Sequence, residues 1–506
     1  MALIPARNPI APSPATLAFV AQRHELLIGG EWIEGAGRDI AIENPATEEP
    51  LAHLKAASID QLDAAVAAAQ LASKGRWATS GGADRAAVLN HFADLLEANL
   101  ELVAEVMTLD NGSPLSSSRM VVKHLAVETL RYYAGWATKL VGESFIPNLG
   151  ARPDDAFMVS TLREPVGVVA AIIPWNAPPG MIAMKLAPAL AAGCTMVMKT
   201  AELAPLTGQL FAQLWAQTGA PPGVFNLIHG HGEDIGAAMA AHAGVAKIAF
   251  TGSTAVGRMI VQAATGNLKK VSLELGGKSP VVVFHDADLS RAIPAATMAC
   301  FLSTGQQCMA GSRLFVHSSV HDQVADGIAA KAAELTVGNG LDPRTVLGPV
   351  ISARHKARIE DYIGIARAEG AVAHLESQAL DGPGHFLGPT LFTEVKPGMR
   401  IEQEEVFGPV LSLIRFDEED ELVAAINGTS YGLSGSVWTQ DISRALRIAR
   451  QVDSGQVGIN VHAAMSPETP FGGNRQSGWG RELGKEGLEP YLKTKAISIY
   501  LGPAAP

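Results

Sequence analysis

A chain of 506 residues, 47% hydrophobic and 18% charged, has apolar material for about two to four domains with large cores and is too apolar to stay disordered. Its formal net charge of -11, with no sizeable block of Lys or Arg, argues against nucleic acid or an anionic membrane surface as the main partner and leaves a small molecule. Three cysteines with no CxxC pair cannot build a disulfide framework or a zinc-site spacing, so a reducing, cytoplasmic setting and no metal site are expected.

The N-terminal stretch "MALIPARNPIAPSPATLAFVAQRHE" has no uninterrupted apolar core behind a basic start, so it does not read as a secretory signal. Its prolines predict a loose arm. No apolar run reaches the roughly 18 residues of a membrane span. The first third then reads as helical. Ser58 with Gln61 three residues on forms a capping-box pattern, and Ile59, Leu62, Val66 and Ala69 recur at helical spacing. A second helix is predicted from about Asp84, with Leu89, Phe92, Leu96, Leu100, Val103 and Met107 on one face, ending at Asp110, Asn111 and Gly112.

From Val166 the pattern changes to short apolar runs, "VGVVAAII", "TMVMK", "VFNLI", "VAKIAF" and "KKVSLEL", with amphipathic segments between them. Such alternation implies a parallel sheet covered on both faces, and a Rossmann-like dinucleotide domain is the leading candidate. A second set follows: "SPVVVF", a helix through Cys300, "RLFVH", a helix from about Val320, "VLSLIRF" and "SGSVWT". This predicts a second α/β domain of comparable size, with the Gly/Pro-rich "LDGPGHFLGP" as loop. Two pieces fit neither core. "AFMVSTLREP" (Ala156 to Pro165) and "AISIYL" (Ala496 to Leu501) read as strands whose open edges need a partner, for which another subunit is the candidate.

Several residues carry chemistry. In "FLSTGQQCMAGSR" Cys308 follows Gly305, Gln306 and Gln307 and has no apolar stripe to join, whereas Cys194 in "ALAAGCTMVM" and Cys300 in "AATMACFL" sit in apolar runs. Cys308 is therefore either a buried small hydrophobe or a nucleophile that needs electropositive help to ionise below the usual ~8.5. Glu274 ends a predicted strand at Gly276 and Gly277, either facing solvent or pointing into a cleft as a general base. Asn176 in "IIPWNAPPG" is either a turn residue or an oxyanion donor. In "AFTGSTAVG", Gly252 and Ser253 precede a helix and Gly257 lies one turn into it. That is neither GxGxxG nor Walker A, but it is a helix start able to meet phosphate. Lys199 and Glu202 in "MKTAE" are either solvated charges or ligands of a ribose, where a carboxylate accepts hydroxyls and disfavours a 2'-phosphate.

Taken together these segments resemble the aldehyde dehydrogenase superfamily. The resemblance runs in order from "IGGEW" (Ile28 to Trp32) through "PWN", "FTGST.VG", "LELGGK", "GQ.C.AGSR" and "EEVFGP" (Glu404 to Pro409) to "PFGG...SG.GRE.G..GL..Y". It implies an α/β architecture of three parts: a Rossmann-like NAD-binding domain at 20–140 and 163–276, an α/β catalytic domain at 277–475, and a bridging β oligomerisation element at 141–162 and 476–506. A homodimer or homotetramer is implied. Carried onto this chain, Cys308 is the nucleophile, Glu274 the base for hydrolysis, and Asn176 with the Cys308 backbone N–H the oxyanion site. Lys199 and Glu202 are implied for the adenosine ribose, Gly252, Ser253 and Gly257 for the pyrophosphate, and Glu405 with Phe407 for the nicotinamide ribose and ring. Trp175 is implied to help line the cofactor cleft. The cofactor is expected to be NAD, with NADP as the alternative.

Departures from the family pattern bear on substrate. Large aromatics common in the tunnel are replaced: Ala177, Pro179 and Met184 stand at the matching positions after "PWN", with Met181 counted in the tunnel, Leu302 and Met309 beside the nucleophile, and His462, Ala463 and Met465 in the tunnel segment. A wide, apolar, adaptable tunnel is expected, suited to bulky hydrophobic or aromatic aldehydes. Thr200 stands where Pro is usual after the cofactor lysine. Two rival activities remain: a CoA-acylating enzyme, which would not need Glu274, and a cofactor-free cysteine hydrolase, which would leave Lys199 and Glu202 idle.

Overall fold

The computed structural model describes residues 4–5, 11–148, 155–377, 380 and 382–503. The alternating runs form two sheets. In the first, the strands Lys270–Glu274, Lys247–Thr251, Val168–Ile172, Thr195–Lys199 and Phe225–Ile228 lie side by side, all parallel. Val168–Ile172, Thr195–Lys199, Phe225–Ile228 and Lys247–Thr251 are buried at every position, which is why their sequences are apolar without alternation. Antiparallel pieces finish both edges: Leu26–Ile28 with Glu31–Ile33 at one, Gly478–Trp479 at the other. The end of the chain thus returns to the first sheet at 478–479 before its last strand.

The second sheet orders Val372–Glu376, Thr390–Thr393, Val410–Phe416, Arg313–His317, Pro280–Val283, Ser434–Trp438 and Gln456–Ile459, parallel except for its first pair. The two sheets bring their strand ends and connecting loops together, the usual place for a ligand in parallel α/β sheets. Helix Pro178–Ala192 runs through the core beneath this junction. Two prolines open it, Gly193 closes it at φ 90°, and each of its residues is buried, Lys185 included.

Four expectations are corrected. Residues Pro14–Ala21 are a helix rather than a loose arm, because Ser13 accepts from the Thr16 N–H and Pro14 opens the helix. The helix expected from Asp84 is two, Gly82–Ala98 and Leu100–Asn111, divided where Asn99 leaves helical geometry (φ -109°, ψ 20°). The capping box at Ser58 and Gln61 is formed as expected, but Ile59 at the head of helix Ile59–Ala72 is exposed while Leu62, Ala65, Val66 and Ala69 are buried. The two stray strands take each other as pairing partner within the chain. Leu492–Pro503 pairs antiparallel with Asp155–Pro165 along its whole length, with Ser144–Phe145 on the far side of the latter. The loop expected around "LDGPGHFLGP" is irregular as predicted, with Asp381 outside the described residues. No helix among the described residues is long and apolar enough to cross a membrane, and they hold no cluster of three or more metal-ligating side chains.

Candidate active site

Cys308 stands on a turn whose approach is fixed by three consecutive left-handed residues, Ser303, Thr304 and Gly305 at φ 53°, 57° and 70°. Side-chain-bearing residues pay to sit there, and the structure holds them: Thr304 Oγ1 donates to the Gly348 carbonyl at 2.7 Å, and Gln306 Oε1 accepts from the Ile351 N–H at 3.0 Å. Gly305 has no alternative, since a Cβ there would stand 2.1 Å from the Gly408 carbonyl oxygen. The turn presents Cys308 to a cavity of about 570 Å³, while Cys194 and Cys300 are buried in the core.

Of the residues named from sequence, Asn176, Ala177, Met181, Leu302, Cys308, Met309, His462, Ala463 and Met465 line that cavity. Met184 does not. It lies one turn further along its helix than Met181 and is enclosed by the core. Met107, Met120 and Met298 join Met181, Met309 and Met465, which makes methionine the commonest residue of the wall, and among the described residues no Lys, Arg, Asp or Glu lines it, only His124 and His462 besides neutral side chains. Asn176 Nδ2 donates to the Gln306 carbonyl at 3.0 Å, which ties the amide to the Cys308 turn and leaves its second N–H for a ligand. The Cys308 backbone N–H has no acceptor among the described residues. Burial first, then the charges of Glu405 and Glu274, push the Cys308 thiol up to about 12, opposed by the N–H groups of Met309 and Cys308.

Asn111 was read from sequence only as a helix terminator, and its role is missed there. Its side-chain amide donates to the carbonyls of Trp175 at 3.1 Å and Asn176 at 3.2 Å, while its Oδ1 accepts from the Ser113 N–H at 2.9 Å. Asn111 is itself buried, so it fixes the "PWN" turn from below.

Glu274 is buried at the end of its strand, and neither carboxyl oxygen makes a sound hydrogen bond among the described residues. Burial first and the Glu482 carboxylate second raise its pKa well above the ordinary carboxylate range; Lys185, Arg481 and the Gly473 backbone oppose that rise. Lys185 ion-pairs with Glu482 and donates to Thr251 Oγ1 at 2.6 Å. Sequence gave no reason to link Lys185, on the buried helix, with Glu482 in the distant "GRELG".

The other named residues lie at or against the strand ends of the first sheet. Glu405 accepts from the Gly277 N–H at 2.9 Å, and burial first pushes its pKa up to about 7. A Cβ on Gly276 would stand 2.2 Å from Glu405 Oε2, so only glycine admits the carboxyl there. Phe407 (φ 59°) meets the Trp175 ring edge-on with centroids 5.5 Å apart, and its carbonyl accepts from His355 Nε2 at 2.8 Å. Ser253 caps helix Thr254–Ala264 by accepting from the Val256 N–H at 3.3 Å, with Gly252 before it and Gly257 one turn on. Lys199 is buried at the end of its strand, donating to the Thr200 carbonyl at 2.9 Å and to Glu202 at 3.3 Å. Burial lowers its pKa, and Glu202 opposes this.

The chain matches the family profile described as the aldehyde dehydrogenase family over residues 32–497. Phenylacetaldehyde dehydrogenase of Pseudomonas fluorescens is 42% identical over 481 residues, covering 94% of this chain and 96% of the relative. Aldehyde dehydrogenase 1 of Tanacetum cinerariifolium is 40% identical over 493 residues, covering 96% and 98%. The NAD+ complex of the Bacillus cereus aldehyde dehydrogenase superposes with a TM-score of 0.94 at 38% identity, over 98% of this chain and all (100%) of that one. Order of motifs, paired sheets and near-complete coverage agree: the chain belongs to the aldehyde dehydrogenase family.

Proposed function

We propose that the chain oxidises a bulky hydrophobic or aromatic aldehyde to its carboxylic acid with NAD+, through thiohemiacetal and thioester adducts of Cys308. The observation that carries this reading is the meeting, in one apolar cavity, of the Cys308 thiol, a free Cys308 N–H and a tethered Asn176 amide.

The strand ends of the first sheet fit a dinucleotide on three features: a carboxyl lodged over Gly276, a capped helix start with small residues before it, and a Lys and Glu pair at a strand end. Glu405 and Phe407 would hold the nicotinamide end, Gly252, Ser253 and Gly257 the pyrophosphate, Lys199 and Glu202 the adenosine ribose, with Trp175 on the cleft wall. A carboxylate at Glu202 favours NAD over NADP. The bound dinucleotide supplies the acceptor for the hydride that leaves the thiohemiacetal carbon.

The chain's own residues do the rest. The Cys308 thiol gives up its proton to solvent, and its Sγ adds to the carbonyl carbon as the Asn176 and Cys308 N–H groups take the developing oxyanion. Glu274 then removes a proton from the water that adds to the thioester, and the Cys308 sulfur departs. Glu274 must be ionised for that step, so the buried charges around it set the acid side of the pH profile. Lys185→Met removes a cation, raises the Glu274 pKa further and moves the acid limb of kcat to higher pH. Glu482→Gln removes a like charge and moves it to lower pH. A kcat profile in which both variants leave the limb in place would separate Glu274 from this cluster.

Substrate follows from the cavity wall. A methionine-rich tunnel lined by no Lys, Arg, Asp or Glu among the described residues suits large neutral side chains better than a carboxylate or a trimethylammonium group. The name of the Pseudomonas fluorescens relative points the same way. The test is a panel of aldehydes assayed at 340 nm with NAD+ and with NADP+. The expected result is a kcat/KM for phenylacetaldehyde and longer apolar aldehydes about 10- to 200-fold above that for acetaldehyde, the scale of a few buried methylenes, and higher rates with NAD+. Preference for short or charged aldehydes would overturn the substrate reading, and acyl-CoA formation on addition of CoA would favour the acylating rival.

We further propose the domain division given above and a cytoplasmic homodimer or homotetramer. The three-stranded sheet supports it: Leu162, Ile497, Ile499, Tyr500 and Leu501 on its two long strands are exposed apolar side chains of the kind a subunit contact covers.

A further inference from the structure

The tunnel segment after strand Gln456–Ile459 carries a histidine whose two ring nitrogens are both used. His462 Nε2 lies 2.9 Å from the Met309 carbonyl oxygen, and His462 Nδ1 lies 2.9 Å from Ser436 Oγ. A carbonyl can only accept, so Nε2 carries the proton. In the neutral ring Nδ1 then accepts from the Ser436 hydroxyl, whose oxygen in turn accepts from Trp438 Nε1 at 3.4 Å. The chain of donors therefore runs one way, from the Trp438 indole through Ser436 and His462 to the backbone of Met309, the neighbour of Cys308. A cationic ring would donate at both nitrogens and leave the Ser436 proton without this acceptor. Burial, which lowers the His462 pKa, works in the same direction.

Each end of this chain is anchored. Ser436 and Trp438 lie buried on the strand Ser434–Trp438 inside the second sheet. The segment bearing His462 is pinned to the end of that strand, since Asn460 accepts from the Thr439 N–H at 3.1 Å and donates to the Thr439 carbonyl at 3.0 Å. Asn460 and Ala463 flank the histidine in left-handed geometry, at φ 53° and 51°. The ring also sits against the backbone of the Cys308 turn: a Cβ on Gly311 would lie 3.3 Å from His462 Cε1. The nucleophile's backbone is thus fastened on the Asn176 side through Gln306 and on the opposite side through Met309.

We propose that His462 is a positioning residue for catalysis as well as part of the tunnel wall: as the neutral Nε2–H tautomer oriented by Ser436, it holds the Met309 carbonyl and so the backbone that presents Cys308. This rests on Cys308 being the nucleophile. A misplacement of the reacting atom by about 1 Å can cost on the order of 10²-fold, so loss of the strut is read in the rate constant.

The test compares His462→Phe, which keeps the ring and loses both hydrogen bonds, with His462→Gln, whose amide can still donate to Met309. Three quantities are measured on the intact enzyme: kcat and KM for a bulky aldehyde, the same for propionaldehyde, and the rate of Cys308 alkylation by iodoacetamide. The expected result is a fall in kcat of about 10- to 100-fold for both aldehydes in His462→Phe, with slowed alkylation and recovery of most of the loss in His462→Gln. A loss confined to the bulky aldehyde, with alkylation unchanged, would make His462 wall only and overturn the proposal. Should His462→Phe not fold, Ser436→Ala carries the same test, with a smaller fall for both aldehydes expected and unchanged rates overturning it. If Cys308→Ala itself retains activity, the reading of the nucleophile fails, and that result is distinct from any of these.

Discussion

Replacing Cys308 by alanine is expected to lower kcat/KM for aldehyde oxidation by about 10⁴-fold or more, because without the sulfur no adduct forms from which hydride can leave. Cys194→Ala and Cys300→Ala are expected to stay within a few-fold of the parent. The structure separates the three by surroundings. The Cys194 and Cys300 thiols are buried, pushed up to about 11 and about 12 by desolvation, and occupied, the first donating to the Tyr491 carbonyl at 3.3 Å and the second to the Val410 carbonyl at 3.5 Å. Burial pushes the Cys308 thiol up as far, but Cys308 differs in facing the cavity, where an aldehyde can reach its sulfur. Steady-state assays at 340 nm read all three. Full activity in Cys308→Ala would remove the nucleophile from this account.

Glu274→Gln has the second large effect, and it falls on one half of the cycle. Acylation needs the sulfur and the oxyanion donors, whereas hydrolysis needs a base, so the variant is expected to give a rapid burst of NADH followed by a steady rate about 10²- to 10⁴-fold below the parent. Stability moves the other way. Glu274 is a buried carboxyl with neither oxygen soundly hydrogen-bonded, near a second carboxylate, so the neutral amide is expected to leave the melting temperature unchanged or higher. A variant that loses the burst together with the steady rate would assign Glu274 to acylation instead.

The sequence made the frame and the reactive atoms legible for a shared reason: both depend on local pattern. Runs such as Val168–Ile172 are apolar at each position because helices cover both faces, and the glycines at 276, 277 and 305 stand where a Cβ would lie only 2.1–2.3 Å from a carboxyl or carbonyl oxygen. What stayed hidden depends on contacts between distant segments. Nothing in "LDNG" says that the Asn111 amide holds the Trp175 and Asn176 carbonyls, and nothing near Lys185 points to Glu482. Short antiparallel pieces were also missed. Leu26–Ile28 and Glu31–Ile33 are too brief to show alternation, and 478–479 lies in a Gly-rich stretch that carries no strand pattern. Met184 fails as a tunnel residue through depth: it shares a face with Met181 but lies one turn further along a helix buried at every position, where the core encloses it.

The account turns on a covalent bond to one sulfur, and intact-protein mass spectrometry measures it. Glu274→Gln is mixed with a bulky apolar aldehyde and NAD+, quenched in acid during the burst, and digested to locate any adduct. The account predicts one acyl group per chain, heavier than the free protein by the aldehyde less one hydrogen molecule, on the peptide containing Cys308. An unmodified Cys308 under conditions where NADH has formed would contradict it.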